Sequence, residues 1–322
     1  MTLPIDQISN LTALVVGDVM IDAYLWGDVN RQSPEAPVPV LLKSGKDSRI
    51  GGAGNVARNI LAMGAKAQLA TVIGNDISGK YLYQLLEERG IGTDAVITEY
   101  ARTTTVKTRI IKGTEHLLRV DEETTKQISD ESKLNLKSSI SKIIDSNTID
   151  VIVVEDYDKG IINEEVANFL IDLAQKNNIP ICVDPKLENF CVYKGVDLFK
   201  PNLKELREGL GLKIDVDSLE SIKKAVEKLH KEIKPKMSIT TLGEDGMWLH
   251  SSEFKHIHQK GINREIVDVS GAGDTVIAVA SLMLASGEKA EEIVKAANIA
   301  GSQVCEKSGV VTVDLQELNS EF

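Results

Sequence analysis

The 322 residues are 42% hydrophobic and 26% charged, which suits one large globular α/β domain, alone or with a small insert. Lys and Arg total 37 against 48 Asp and Glu; a net charge of −11 without a basic block argues against a surface built around a nucleic-acid backbone. The apolar run from Thr275 stops at Gly287, too short to cross a bilayer, and three cysteines without C-x-x-C spacing (Cys182, Cys191, Cys305) fit a reduced, cytoplasmic chain.

In chain order, residues 1–6 carry no basic stretch, so no secretory signal is expected. Leu14, Val15 and Val16 form a short strand running into Gly17. Residues 55–63 read as a helix stopped by Gly64, 67–72 as a strand, and 78–89 as a helix closed by Gly90. Val151–Val154 is a wholly apolar strand, and residues 163–176 place Val166, Phe169, Leu170 and Leu173 on one helical stripe. Residues 181–183, with Cys182 as a small core residue, and 237–241 add buried strands. His256 and His258 alternate on a further strand and read as a surface pair rather than metal ligands. This alternation predicts an α/β fold, a mostly parallel central sheet with helices on both faces, whose ligands lie beyond the carboxyl ends of the strands.

Two stretches break the alternation. Residues 22–50 hold Pro34, Pro37 and Pro39 with no helical period, and residues 103–120 alternate polar and apolar around Lys112-Gly113, as an exposed hairpin does. The expected organisation is a main domain of residues 1–21, 51–96 and 121–322 with a discontinuous β lid of residues 22–50 and 97–120, placed to exclude water from the site.

The chemistry concentrates in a few glycine-rich turns. Asp268-Val-Ser-Gly-Ala-Gly-Asp274 opens an apolar helix, so its free backbone N–H groups and the helix dipole suit a phosphate. The Asp274 carboxylate there would either take a proton from an attacking hydroxyl or cap a helix over residues 275–286. A second cluster, Gly51-Gly-Ala-Gly-Asn-Val-Ala-Arg-Asn59, also opens a helix and lets backbone approach a ligand beside Asn55. Asp22, after the first strand, suits paired sugar hydroxyls or a turn. Asn202 and Glu205 sit one helical turn apart, able to organise magnesium waters or simply to form a capping box. Thr241-Leu-Gly-Glu-Asp-Gly246 is a hairpin or a nucleotide platform. No P-loop, protein-kinase signature, serine-hydrolase elbow or dinucleotide fingerprint is present.

Gly51-Gly-x-Gly-Asn55-Val-Ala-x-Asn59, Asn202-x-x-Glu205 and Asp268-x-x-Gly-Ala-Gly-Asp274, in this order, resemble the signatures of ribokinase-like (PfkB) sugar kinases and span nearly the whole chain. Within that family the chain is most similar to the heptose 7-phosphate kinases. Gly17–Asp22, Arg31–Val40, Thr104–Arg109, Leu117–Asp121, Asp156–Gly160 and Asp184-Pro-Lys186 carry this closer likeness. Glu155, where Ser is commoner, and Leu187, where Gly is, depart from it. No H-x-G-H nucleotidyltransferase motif occurs, so the likeness is to a stand-alone kinase.

The resemblance implies ATP-dependent phosphorylation of the C1 hydroxyl of D-glycero-β-D-manno-heptose 7-phosphate, a step toward ADP-heptose and lipopolysaccharide core. It makes Asp274 the general base and Gly271, Ala272 and Gly273 the anion hole. Asp22, Gly51, Gly52 and Asn55 would contact the sugar. Thr241, Gly243, Gly246 and Asn298 would hold ATP, Asn202 and Glu205 would serve Mg²⁺, and Asp268 would lie near a monovalent cation such as K⁺. Lys186, Lys107, Arg109, Arg119 and Arg31 are the candidates for the sugar phosphate, Lys186 first among them. By the same analogy the partners are a sugar phosphate, ATP and a second copy joined through the lid, with no nucleic acid or membrane. The readings that compete with this are a kinase of the same fold for fructose or tagatose phosphate, ribose or a nucleoside; a silent sugar or nucleotide sensor; and a dinucleotide oxidoreductase.

Overall fold

The computed structural model describes residues 2–215, 218–251 and 256–322; the remaining residues of the expected main domain lie outside it. Thirteen strands are found among the described residues: β1 (Thr12–Gly17), β2 (Val19–Gln32), β3 (Pro39–Gly52), β4 (Lys66–Gly74), β5 (Gly92–Glu99), β6 (Val106–Lys112), β7 (Glu115–Glu122), β8 (Val151–Glu155), β9 (Ile181–Asp184), β10 (Leu198–Phe199), β11 (Met237–Thr241), β12 (Met247–Ser251) and β13 (Ile257–Gln259). Nine make one sheet in the order β13-β12-β11-β10-β9-β8-β1-β4-β5, parallel throughout except for β12 and β13.

The continuous apolar strands are buried because both faces are covered. Successive residues of β8 alternate between two cores: Val151 and Val153 join Ile277, Leu282 and Ile293, whereas Ile152 and Val154 join Leu136, Leu170 and Leu229. Helices Ala53–Ala62, Ala272–Ala285 and Ala290–Cys305 cover the first face; Asp130–Ser146, Glu164–Asn177 and Leu219–Glu232 cover the second. Cys182 is fully buried. His256 and His258 both lie against Trp248 of β12, His256 accepting from its indole N–H and His258 stacking on its ring, so the pair is half-buried rather than free on the surface. No helix among the described residues is long and apolar enough to cross a membrane.

The stretches that break the alternation form a second sheet, β3-β2-β6-β7, in which β2 pairs antiparallel with β3 and parallel with β6. The hairpin starts at Val19 and returns at Gly52, outside the expected 22–50, because its root is apolar: Val19, Ile21, Ala23 and Ile50 are part of the main core. Residues 97–99 belong to β5 of the large sheet rather than to the lid. Farther out the sheet is wet. All eight residues of β7 are exposed, and Leu42 and Leu118 are 71% and 58% accessible.

Candidate active site

Gly271 caps the helix Ala272–Ala285 in a left-handed conformation (φ 79°), a turn that glycine adopts without the clash a side chain would meet. The N–H groups of Gly271 and Gly273 have no protein acceptor among the described residues, whereas that of Ala272 closes the turn on the Val269 carbonyl at 3.2 Å. Of the three expected anion-hole donors, two are therefore free and one is engaged. Asp274 is the third residue of the helix and does not cap it. Its Oδ2 accepts from the Asn55 amide at 2.9 Å and its Oδ1 from the Tyr157 hydroxyl at 2.8 Å. With 2% of its surface accessible, burial pushes its pKa up to about 6; the bonds from Asn55 and Tyr157 pull it down, and the charges of Asp184 and Asp22 add to the rise. A carboxylate base poised just below neutrality suits proton abstraction.

Asn55 arrives from the other glycine turn, at the start of the helix Ala53–Ala62. Gly51 is required there by space: a Cβ would fall 2.0 Å from Asp22 Oδ2. Asp22 and Tyr24 of β2 stand in register with Lys107 and Arg109 of β6, and Arg109 pairs with Asp22 Oδ1 while lying over the Tyr24 ring. Gly51, Gly52, Asn55 and Asp22 are thus brought beside Asp274.

Tyr157, which sequence reasoning passed over as a site residue, is held by a buried acid. Asp18 accepts from the backbone N–H groups of Tyr157 (2.8 Å), Lys159 (3.2 Å) and Ile161 (3.4 Å), tying the Asp156–Gly160 loop to the end of β1. Burial, reinforced by Asp156, raises Asp18 to about 6. The signal was present: the Asp-Tyr-Asp-Lys-Gly run belongs to the family likeness.

Beneath the turn, three adjacent strand ends contribute charged side chains in register, Glu155, Asp184 and Lys200. Lys200 Nζ lies 2.7 Å from Asp184 Oδ2, and a Cβ on Gly273 would touch both partners at about van der Waals distance, so this ion pair is the floor of the anion turn. Glu155 is fully buried, and neither of its carboxyl oxygens has a hydrogen-bond partner among the described residues. Burial, then the charges of Asp184 and Asp274, hold its carboxyl well above the usual range.

Asn202 and Glu205 do form the capping box, with Asn202 Oδ1 accepting from the Glu205 N–H and Glu205 Oε2 from the Asn202 N–H, each at 2.8 Å. Glu205 Oε1 receives Lys186, whose ammonium also lies 5.0 Å over the Tyr157 ring. Burial opposes the Lys186 charge, but Asp184 and Glu205 keep it protonated. Lys186, Asn202, Glu205, Asp184, Lys200, Gly271, Gly273 and Asp274 line one cavity of about 520 Å³. One carboxylate and one amide are too few for an all-protein magnesium cage; they fit a hydrated ion carried in on phosphates.

A second cavity of about 430 Å³ adjoins the first through Thr241, Gly243, Val269 and Gly273, and Met247, Ile262, Ile266 and Val276 make it largely apolar. It contains Gly246 and Asn298, whose amide donates to the Lys260 carbonyl at 2.8 Å. Asp268 stands apart: its oxygens accept from the N–H groups of Ser270 and Gly309, both at 2.9 Å, and although burial opposes its charge, these bonds keep it ionised, an anchor that fits a monovalent cation.

The phosphate candidates are scattered. Lys186 faces Glu205, in the cavity it shares with Asn202 rather than under the lid, because it follows β9, next to the strand that leads into Asn202. Lys107 pairs with Glu123 (2.9 Å) and Asp121 (3.3 Å), and Arg119, largely exposed, with Asp121 (2.9 Å). Lys159, also paired with Glu123, joins them unforeseen. Arg31 is exposed nine residues beyond Asp22 on β2, roughly 30 Å along an extended strand.

A family model described as pfkB family carbohydrate kinase matches residues 11–317. Among curated relatives, the bifunctional protein HldE of Sulfurimonas denitrificans is 38% identical over 305 residues, 95% of this chain and 63% of the relative. HldE of Helicobacter pylori strain J99 is 38% identical over 306 residues, 95% of this chain and 65% of the relative. The chain thus spans less than two thirds of these relatives. Among solved structures, phosphofructokinase-2 from Escherichia coli in complex with substrates and products superposes with a TM-score of 0.80 at 22% identity, covering 97% of both chains. Arabidopsis thaliana ribokinase with ribose and ATP gives 0.74 at 19%, covering 96% of this chain and 98% of that one.

Proposed function

The chain belongs to the pfkB carbohydrate kinase family and is an ATP-dependent sugar kinase; from that premise we propose that its acceptor is D-glycero-β-D-manno-heptose 7-phosphate, phosphorylated on the C1 hydroxyl. The observation that carries the choice of sugar is the likeness to HldE proteins over 95% of the chain, which includes the lid strands and the Asp184-Pro-Lys186 turn. The product would be the 1,7-bisphosphate, made in the cytoplasm for ADP-heptose synthesis.

Asp274 takes the proton of the C1 hydroxyl as that oxygen attacks the γ-phosphorus; the bond from phosphorus to the β–γ bridging oxygen breaks and ADP leaves. An anomeric hydroxyl is more acidic than an ordinary alcohol, so a carboxylate of pKa about 6 suffices. Asn55 and Tyr157 hold the carboxylate plane, and the free N–H groups of Gly271 and Gly273 meet the charge on the transferred group. Thr241, Gly243, Gly246 and Asn298 receive the nucleotide in the apolar slot. Magnesium, when bound, would neutralise charge on the β- and γ-phosphates, and Asn202 and Glu205 would hold it through water. A potassium ion near Asp268 would add to the field at the turn.

On the sugar side, Asp22, Gly51, Gly52 and Asn55 hold hydroxyls. Lys107, Arg109 and Arg119 offer lid cations to the 7-phosphate, with Lys186 beyond Asp274. Arg31 could reach a sugar phosphate only from the lid of a second copy, and the accessible Leu42, Leu118 and Val120 give that lid an apolar surface to bury in a homodimer. An ADP-release screen over free and phosphorylated sugars tests the assignment. Turnover with the heptose 7-phosphate well above all others supports it; turnover only with fructose, tagatose or a nucleoside, or none, overturns it.

A further inference from the structure

A third cavity, of about 350 Å³, shares no lining residue with the phosphoryl-transfer cavity. Its charged lining is Asp47, Arg49, Arg58, Arg89 and Lys307, drawn from β3, two helices and the loop after the helix Ala290–Cys305. The single acid is already neutralised, because Asp47 Oδ2 accepts from Arg49 Nε at 2.8 Å. Arg58, Arg89 and Lys307 make no ion pair with a carboxylate among the described residues. The backbone N–H groups of Val311 and Thr312, in the same lining, find no acceptor among the described residues either.

On a chain whose acids outnumber its bases by 11, such a gathering of cations is not a matter of composition. Like charges held together around a half-closed cavity repel unless an anion lies between them. Arg58 feels this: burial, then Arg89 and Arg49, weaken its hold on its proton. Its only hydrogen bonds among the described residues, from Nη1 to the Ile50 carbonyl and to Asn55 Oδ1, are both long at 3.4 Å, so most of its donors have no partner there.

We propose that Arg49, Arg58, Arg89 and Lys307 form a second anion site, for a phosphate or phosphomonoester dianion, lying behind the catalytic turn. Two guanidinium forks with a third nearby match the geometry of phosphate oxygens, and the volume admits a small phosphomonoester. The site touches the catalytic groups from two directions. Arg58 reaches Asn55, whose amide donates to Asp274. Arg49 donates to the carbonyls of Ser308 (2.9 Å) and Val310 (3.3 Å), the loop that Gly309 fastens to Asp268. An anion drawing these two arginines would shift both supports of the turn. None of this depends on which sugar is the acceptor.

The test is calorimetric titration of the full chain with inorganic phosphate, and separately with glycerol 3-phosphate, in phosphate-free buffer with a non-hydrolysable ATP analogue saturating the nucleotide site. Binding is expected for the unaltered protein and should weaken about tenfold or more in the Arg89→Gln/Lys307→Gln double variant. Basal kcat and the KM for ATP, measured without added phosphate, should stay within about twofold. If the double variant does not fold, Arg89→Gln alone, at an exposed helix end, carries the same comparison. Phosphate that still binds when the acceptor sugar saturates the enzyme is a separate effector; phosphate displaced by the acceptor means that the acceptor's own phosphate fills the site. Equal binding by the altered and unaltered chains, or no binding at tens of millimolar phosphate, overturns the proposal.

Discussion

The charges beneath the Gly271 turn and the charges on the lid are built in opposite ways. Under the turn, Glu155, Asp184, Lys200 and Asp274 are almost wholly withdrawn from water, and their registers are fixed by three adjacent strands and one helix. On the lid, Lys107 and Arg119 share Asp121 and Glu123 with Lys159 near solvent, where each pair has alternatives. A dry charge has one energetically acceptable partner; a wet one has many. On the proposed reading, phosphoryl transfer is carried by the dry floor, and recognition of the sugar by the wetter lid.

The largest expected effect comes from breaking the floor. Lys200→Met leaves the Asp184 carboxylate buried without its cation and should cost about 3–5 kcal/mol in urea unfolding. A loss below about 1 kcal/mol would mean that the floor is as forgiving as the lid. Asp274→Asn should lower kcat by about a hundredfold or more while the KM for ATP stays near its original value. Near-normal turnover would remove Asp274 from the base role.

The same residue sets the pH dependence. Because Asp274 must be ionised, kcat/KM should fall about tenfold per unit below roughly pH 6. Stability runs the other way. The folded chain holds the Asp274 proton to about 6 and the unfolded chain to 3.8, so the folded state binds more protons in that window and this group's contribution to stability falls as pH rises through it. Asp274→Asn should therefore gain on the unaltered protein in unfolding experiments between pH 4 and pH 7, by up to about 3 kcal/mol. A gap between the two that stays constant with pH would contradict the raised pKa.

Smaller effects separate the support from the lid. Tyr157→Phe removes the hydroxyl that lowers the Asp274 pKa, so the acidic limb should move to higher pH by less than about one unit. Arg119→Gln, on an exposed ion pair, should leave stability within about 1 kcal/mol and change only the KM for the sugar phosphate, within a few-fold.

What was legible in the sequence was local. The two glycine turns, the Asn202–Glu205 box and the Lys112-Gly113 hairpin each declare themselves within a few residues, because a turn's backbone demand is met by its own sequence. The floor was not legible, since Glu155, Asp184 and Lys200 come from three strands and become neighbours only through sheet register. The Lys186–Glu205 pair was equally hidden, since it is strand order that brings the two together. Arg49, Arg58, Arg89 and Lys307 are farther apart still in sequence, and only the fold gathers them. The acid Asp18 was visible as the residue after Gly17, but its grip on the Tyr157 loop needed the crossing from β1 to β8.

The most direct test of the central claim is phosphorus NMR of the product formed from ATP and D-glycero-β-D-manno-heptose 7-phosphate. The account predicts ADP and a new phosphate resonance coupled to the anomeric C1 proton, with the 7-phosphate retained. A new phosphate on any other carbon, or ADP formed without phosphorylated heptose, would contradict it.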